Sequence, residues 1–404
     1  MVFGLEPRMY VLSVDDIVAG RATDIYFVRT KYILERSGLC NKVVRYELHT
    51  YGLPKGYEWA VFAGLEEVLA LLKGRRIRVY SLPEGTLYRP LYPLMVIEGE
   101  VCEIVHLETA ILGILRFYTS VATKAARIKA VARDRKVLFF GLRAQHPAIA
   151  PALDRAAYIG GVDAVSGAFS EEFIGVKPQG TMPHVLILVF GDPSKAWKAF
   201  DEYMPPEVPR IALVDTMYDE RFESELAVKT LGKKLWGIRL DTPRSRRGDM
   251  RLLVEEIRWY LKLLGYENIK VVVSGGIDEE SIEKLRDVVD AFGVGTAIAM
   301  PKPIDISMDI VEIFDEDQGA WKPVSKRGKL PGMKQVYRCI PVIEDYIDRP
   351  GKHVVCRDGS EAKPLLELYL DNGELVKELP SVENIRRYVL DQLKVLEEHR
   401  QQSI

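Results

Sequence analysis

The sequence predicts an α/β protein: an irregular β/α barrel with an amino-terminal open-sheet α/β domain and a small carboxyl-terminal α+β region. Two observations carry the barrel. Six apolar runs between Val137 and Ala299 each stop at a polar or glycine cluster, and most are separated by helix-length segments. Near-continuous β-branched runs spaced this way are the mark of parallel strands buried on both faces. A third observation carries the flanks, where the rhythm breaks and proline-marked loops alternate with shorter strand-like and helical pieces.

From Met1 to His106 the strand-like Ile25-Tyr26-Phe27-Val28 and Ile77-Arg78-Val79-Tyr80 alternate with a helical stretch from Ala60 to Lys73. Pro83, Pro90 and Pro93 mark loops, so residues 1–106 are expected to form the open-sheet domain. Leu107 to Val131 reads as a helix with Ile111, Leu115, Tyr118, Ala122 and Ala125 on one stripe, making 107–136 a link. The barrel, 137–303, follows with runs at Val137 to Phe140, Val162 to Val165, Ile211 to Val214, Leu235 to Ile238, Ile269 to Val273 and Ala291 to Val294. Pro301-Lys302-Pro303 ends the rhythm. In 304–404 a basic Gly/Pro-punctuated loop, Lys322 to Met333, precedes strand-like Val336 to Ile340 and His353 to Cys356. Pro380-Ser381 then starts a helix with Ile385, Val389, Leu393 and Leu396 on one stripe.

With 404 residues, 48% of them hydrophobic, the chain buries a sizeable core. Its 56 basic and 58 acidic side chains nearly cancel, which argues against nucleic acid or an anionic membrane as partner. No apolar stretch approaches the roughly 18 residues that span a bilayer. The expectation is a soluble, cytoplasmic protein. Cys40, Cys102, Cys339 and Cys356 show no C-x-x-C pair or zinc spacing and read as buried thiols, with a Cys339–Cys356 disulfide left open. Asn occurs only at 41, 268, 372 and 384 amid 28% charged residues, a hyperthermophile tendency.

In such barrels chemistry sits at the carboxyl ends of the strands. Ser274-Gly275-Gly276-Ile277 before a capped helix start, and Gly293-Val294-Gly295-Thr296 one strand later, suit a phosphate cradle of backbone N–H groups. Arg143 and Arg239 are suited to planar recognition of a carboxylate or phosphate, or alternatively to saturating an internal carboxylate. Asp215 and Asp241 suit orienting a ribose, holding Mg²⁺ indirectly or stabilising positive charge at a sugar carbon; pairing with those arginines is the plainer reading. His184, in Gly180-Thr181-Met182-Pro183-His184, and His146 are by spacing alone more often structural than catalytic. Arg246 and Arg247 lie in a loop that reads either as a solvated turn or as a clamp on pyrophosphate. No metal-ligand set is expected.

Together the stops resemble nicotinate phosphoribosyltransferase. The matching segments are Gly141-Leu142-Arg143-Ala144-Gln145-His146-Pro147, Gly160-Gly161-Val162-Asp163, Gly180-Thr181-x-x-His184, Leu213-Val214-Asp215-Thr216, Ile238-Arg239-Leu240-Asp241, Val273-Ser274-Gly275-Gly276-Ile277 and Gly295-Thr296. Thr23-Asp24-Ile25-Tyr26 and Pro331-Gly332-x-Lys334-Gln335-Val336-Tyr337-Arg338 extend the match to both ends, and the spacing is most similar to the archaeal branch. The resemblance implies transfer of phosphoribose from phosphoribosyl pyrophosphate to nicotinate, yielding nicotinate mononucleotide and pyrophosphate in NAD salvage. It further implies Mg²⁺, ATP hydrolysis through a phosphohistidine at His184, and a homodimer in which Asp24 and Tyr26 act across the interface, Tyr26 stacking on the pyridine ring. Arg143 and Arg239 would fall near the nicotinate carboxylate and the phosphates, with Ser274, Gly275, Gly276, Gly295 and Thr296 around the ribose 5-phosphate. Two departures stand out: Thr242-Pro243 replaces Ser-Gly after Asp241, and Pro183 replaces Ala before His184. Only Cys339 and Cys356 stand where some archaeal relatives carry a zinc knuckle, so zinc is not expected.

The rival enzyme is quinolinate phosphoribosyltransferase, typically shorter and in need of further basic residues for a second carboxylate. A nicotinamide-preferring relative is disfavoured by Arg143 and Arg239. A barrel that binds nucleotide or phosphoribosyl pyrophosphate without turnover is the alternative from another class.

Overall fold

The structure, a computed structural model, describes residues 8–340 and 343–402; the side chains at 244, 247 and 399–402, Arg247 among them, lie outside what is described. Two compact units result, Met1–Ser120 with Lys302–Ile404, and Val121–Pro301. The helix Glu108–Ala132 carries the chain from one to the other. Its stripe of Ile111, Leu115, Tyr118, Ala122 and Ala125 is buried throughout, as the periodicity predicts.

The Val121–Pro301 unit is built on five parallel strands, Lys136–Phe139, Arg210–Leu213, Leu235–Leu240, Lys270–Val273 and Ala291–Val294. In space Ala291–Val294 lies between Lys136–Phe139 and Lys270–Val273, followed by Leu235–Leu240 and Arg210–Leu213. Every residue of the Arg210–Leu213 and Ala291–Val294 strands is buried. Helices such as Glu220–Leu231 and Met250–Leu263 alternate with the strands, giving the irregular β/α barrel.

One expected barrel strand is reduced to a single parallel bridge, Leu138 to Ala164. Two backbone bonds flank it, from the Phe139 N–H to the Ala164 carbonyl at 2.9 Å and from the Asp163 N–H to the Val137 carbonyl at 2.8 Å. The Asp163 side chain adds to them, its Oδ2 accepting the Val137 N–H at 2.8 Å and Lys129 Nζ at 2.7 Å. From Ser170 to Tyr203 the chain forms three helices, Ser170–Ile174, His184–Phe190 and Pro193–Tyr203, and no strand.

In the first unit a seven-stranded sheet takes Val43–His49, Ile77–Ser81 and Pro93–Glu100 from the amino-terminal region. Its remaining strands, including Ser307–Asp315 and Glu367–Asp371, come from the carboxyl-terminal region. The 304–404 stretch that the sequence sets apart thus completes the same sheet. Arg338 ties the parts together, buried and bonded to Asp345, to Gln392 Oε1 on the terminal helix Val382–Gln402 and to the Leu87 carbonyl.

Several local expectations fail in this unit. Ile25-Tyr26-Phe27-Val28 is not a strand but the start of the helix Ile25–Arg36, with Asp24 at its N-cap; only Phe27 of that helix is buried. Ala60 to Lys73 opens as a two-residue strand, Ala60–Val61, and becomes helical only at Leu65, after Gly64 turns the chain at φ 100°. His353 to Cys356 contributes a lone bridge, Val355 to Glu361. The cysteines are paired rather than free: Cys40 bonds Cys102 and Cys339 bonds Cys356.

Candidate functional site

A cavity of about 890 Å³ opens at the carboxyl ends of the barrel strands, lined within the Val121–Pro301 unit. Ten of the site residues expected from the sequence lie in its wall: Arg143, Thr181, His184, Arg239, Asp241, Ser274, Gly275, Gly276, Gly295 and Thr296. The parallel arrangement is the reason, because residues just past the ends of adjacent strands converge wherever the strands run the same way.

Asp215 lies beneath this wall, its side chain only 1% exposed. Oδ2 accepts the Asp241 N–H at 2.6 Å and the Thr242 hydroxyl lies at 3.0 Å. Oδ1 is buried without a hydrogen-bond partner among the described residues, 4.0 Å from His184 Nδ1. Burial raises the Asp215 pKa above the ordinary carboxylate value, with the neighbouring Asp241 charge adding to it; the Asp241 N–H, Thr242 and His184 oppose it. Asp241 turns the other way. Its Oδ1 accepts from Ser274 Oγ at 2.6 Å, while Oδ2 stands 3.4 Å from His184 Nε2 and 3.9 Å from Arg239 Nη2.

His184 is the first residue of the helix His184–Phe190, and its Nδ1 lies 3.0 Å from Thr216 Oγ1. Pro183 sits at the N-cap in an extended conformation, so the proline found there in place of alanine is compatible with the helix start.

Arg239 is largely buried, and its Nε finds no hydrogen-bond partner among the described residues. Burial lowers its pKa, Asp241 and Asp215 raise it, and the nearby Arg143 charge lowers it again. Arg143, on the 3-10 turn Leu142–Ala144, is exposed and makes no ion pair among the described residues. The reading of these arginines as saturated by internal carboxylates therefore fails for Arg143 and is only partly met for Arg239. Thr181 Oγ1 is likewise buried without a partner among the described residues. An underpaired guanidinium, an unpaired guanidinium and a buried unpaired hydroxyl around one cavity describe a receptor for an anionic, hydrogen-bonding ligand.

The glycine turns have steric grounds. Gly275 adopts φ +83°, and a Cβ there would approach the Asp241 carbonyl at 3.1 Å. At Gly293 a Cβ would fall 2.7 Å from the Phe140 ring and 2.9 Å from Ser274 Cβ. The helix Glu279–Leu285 begins after Asp278, whose carboxylate accepts from Ser281 N at 2.9 Å, so an acid already occupies that helix end. Of the expected cradle, the Ser274 N–H is already spent on the Leu240 carbonyl at 2.8 Å, while Gly275, Gly276, Gly295 and Thr296 line the cavity.

Asp24 and Tyr26 belong to the other unit, where Asp24 Oδ2 accepts from the Thr109 hydroxyl at 2.7 Å and Tyr26 is exposed. Arg246, on the short helix Arg244–Arg247, does not line the cavity. His146 caps the turn Pro147–Ile149 through Nδ1 to the Ala148 N–H at 3.1 Å, a structural role. The sequence reading missed Thr216 as a contact of His184, Phe140 as the ring 6.0 Å from the Arg239 guanidinium, and Glu223 behind the Asp215 turn. Thr216 was visible beside Asp215; Glu223, one acid among several on a helix, gave no signal.

Family models match along the chain in order: quinolinate phosphoribosyl transferase, N-terminal domain, at 24–119; its C-terminal domain at 121–309; and nicotinate phosphoribosyltransferase C-terminal domain at 333–403. The nicotinate phosphoribosyltransferase pncB1 of Mycobacterium tuberculosis is 30% identical over 345 residues, covering 76% of this chain and 75% of the relative. Nicotinate phosphoribosyltransferase of Bacillus subtilis is 28% identical over 440 residues, covering 93% and 88%. Among solved structures, nicotinate-nucleotide pyrophosphorylase from Pyrococcus furiosus superposes with a TM-score of 0.93 at 49% identity, covering 97% of this chain and 99% of that one. Human nicotinic acid phosphoribosyltransferase, at 22% identity and a TM-score of 0.72 over 92% and 94%, shares the fold.

Proposed function

This chain belongs to the nicotinate phosphoribosyltransferase family, and we propose that it transfers phosphoribose from phosphoribosyl pyrophosphate to nicotinate, giving nicotinate mononucleotide and pyrophosphate in NAD salvage. The observation that carries the reading is Arg239, a largely buried guanidinium whose Nε has no hydrogen-bond partner among the described residues, beside Arg143 in a cavity walled by Asp241, with Asp215 bonded to it from beneath. In the reaction the bond from the anomeric carbon to pyrophosphate breaks and a bond from that carbon to the pyridine nitrogen forms. Positive charge grows on the sugar as the first bond lengthens, and Asp241 at the cavity wall is the carboxylate placed to stabilise it. Arg239 and Arg143 supply paired donors for the nicotinate carboxylate or the departing phosphates. A neutral nicotinamide would leave a guanidinium underpaired.

His184 suits phosphoryl acceptance from ATP: its ring lies at the cavity wall, with Nε2 facing Asp241. In that step a bond from an imidazole nitrogen to the γ-phosphorus forms as the bond to ADP breaks, and hydrolysis of the phosphohistidine returns the free ring. Mg²⁺ is expected to arrive with the phosphates, with Asp241 offering a cavity-facing carboxylate. When bound, Mg²⁺ neutralises the charge of the pyrophosphate leaving group.

A homodimer is supported by exposed apolar helix faces in each unit: Ile25, Tyr26 and Ile33 in one, Val185, Leu188 and Val189 in the other. Asp24 and Tyr26 would then serve the partner's site. We place the reaction in the cytoplasm, with the phosphorylated sugar and nucleotide it consumes. Nicotinate mononucleotide formation from nicotinate and phosphoribosyl pyrophosphate, followed chromatographically with and without ATP in wild type and His184→Ala, tests the reading. Product from wild type, with an ATP stimulation absent in His184→Ala, supports it; binding of phosphoribosyl pyrophosphate without product favours a non-catalytic barrel.

A further inference from the structure

Glu223 sits in the first turn of the helix Glu220–Leu231, 0% exposed, and forms no ion pair among the described residues. A buried carboxylate is costly unless its oxygens are used, and here both are. Oε2 accepts the Thr216 N–H at 3.2 Å; Oε1 accepts those of Met217 and Tyr218 at 2.8 Å each. One side chain thus fixes three consecutive amides of the turn that leaves the strand Arg210–Leu213.

That turn holds Thr216, and Thr216 Oγ1 is the only partner at hydrogen-bond geometry that the His184 ring has among the described residues. The ring is otherwise loosely held. Its side chain is 40% exposed, and its other polar neighbours are Asp241 Oδ2 at 3.4 Å and Asp215 Oδ1 at 4.0 Å. Which way the imidazole faces, and which nitrogen carries the proton, therefore depend on where the threonine hydroxyl stands. Asp241 Oδ2, 3.4 Å from Nε2, and Asp215 Oδ1, 4.0 Å from Nδ1, compete for the ring proton, and the Thr216 hydroxyl, able to accept from Nδ1–H or to donate to a bare Nδ1, tips that balance.

We propose that Glu223 is a positioning residue for His184, acting through the 216–218 turn and the Thr216 hydroxyl to fix the ring's tautomer and direction. Its kinetic consequence rests on the reading of His184 as a reacting group; its structural consequence does not. Nothing in the resemblance singles Glu223 out, since its effect passes through backbone amides rather than a contact with ligand.

The test compares Glu223→Gln, Thr216→Val and Thr216→Ser with wild type, each checked for folding by thermal melting. Two readouts are taken: the ¹⁵N shifts of the His184 imidazole, assigned with His184→Ala, and the steady-state constants with nicotinate, phosphoribosyl pyrophosphate and ATP. Glu223→Gln keeps the shape but turns an amide NH₂ toward backbone N–H groups. The expected result is a changed tautomer signature in Glu223→Gln and Thr216→Val, with kcat lowered about tenfold or more, KM for nicotinate within about twofold, and Thr216→Ser close to wild type. Imidazole shifts unaltered in Thr216→Val overturn the proposal whatever the activity, and this variant remains informative if Glu223→Gln does not fold. Thr216→Ser as impaired as Thr216→Val overturns it too. Shifts that move in a wild-type background lacking turnover support the positioning while removing the enzymatic reading.

Discussion

The backbone N–H of Asp241 donates to Asp215 Oδ2 across 2.6 Å, joining the carboxyl ends of two adjacent parallel strands. One carboxylate is spent on holding the other's backbone in place. Asp241, thus fixed and further held by Ser274 Oγ at 2.6 Å, directs Oδ2 toward His184. The pair has divided roles: Asp215 is buried and structural, Asp241 faces the cavity.

The division predicts different failures. Asp241→Asn removes the charge at the cavity wall, and kcat should fall by about 100-fold or more with little loss of thermal stability. Asp215→Asn should lower both kcat and the melting temperature, because one face of its carboxylate serves two donors. Steady-state kinetics and calorimetry of both variants check this.

Arg239→Lys keeps the charge and loses the planar fork. The account predicts that kcat/KM for nicotinate falls by about 100-fold, while any weak activity on nicotinamide changes far less. Parallel kinetics with both acceptors measure the ratio.

Glu108 carries a pH signature. Burial, helped by the Asp309 charge, raises its pKa from 4.5 to about 7. The folded state therefore binds a proton between these values that the unfolded state releases, and this group's contribution to stability is lost as pH rises through about 7. Glu108→Gln should be more stable than wild type at pH 8, by roughly 1 kcal/mol once solvent screening is allowed for, with the difference vanishing toward pH 4. Melting curves across that range decide it.

The two disulfides close loops of 62 and 17 residues. Chain entropy assigns them about 4 and about 3 kcal/mol at most. Cys40→Ser/Cys102→Ser should lower the melting temperature more than Cys339→Ser/Cys356→Ser, and reductant should lower it in wild type. A melting temperature indifferent to reductant contradicts this.

Much of the barrel was legible because its signal is local. Runs such as Val271-Val272-Val273 have no exposed face, and the polar stop after each run is where a parallel strand must present chemistry. The same logic brings Arg143, Asp215, Arg239, Asp241 and the Ser274 turn to one mouth, and all of them but Asp215, which lies beneath the wall, line the cavity. What failed depended on tertiary context. Ile25 to Val28 has β-branched, strand-like composition, yet begins a helix with Asp24 at its N-cap. The cysteine pairs join residues 62 and 17 apart, which no spacing rule reveals. Glu223 acts through three backbone amides, a role that leaves no motif.

The central claim is acceptor choice, and kcat/KM with nicotinate, nicotinamide and quinolinate, measured side by side with phosphoribosyl pyrophosphate, Mg²⁺ and ATP at elevated temperature, tests it most directly. The account predicts a value for nicotinate at least about 100-fold above either rival, since nicotinamide leaves a buried guanidinium underpaired and quinolinate brings a second carboxylate that needs further basic residues. Turnover of quinolinate alone, or of nicotinamide as readily as nicotinate, would contradict it.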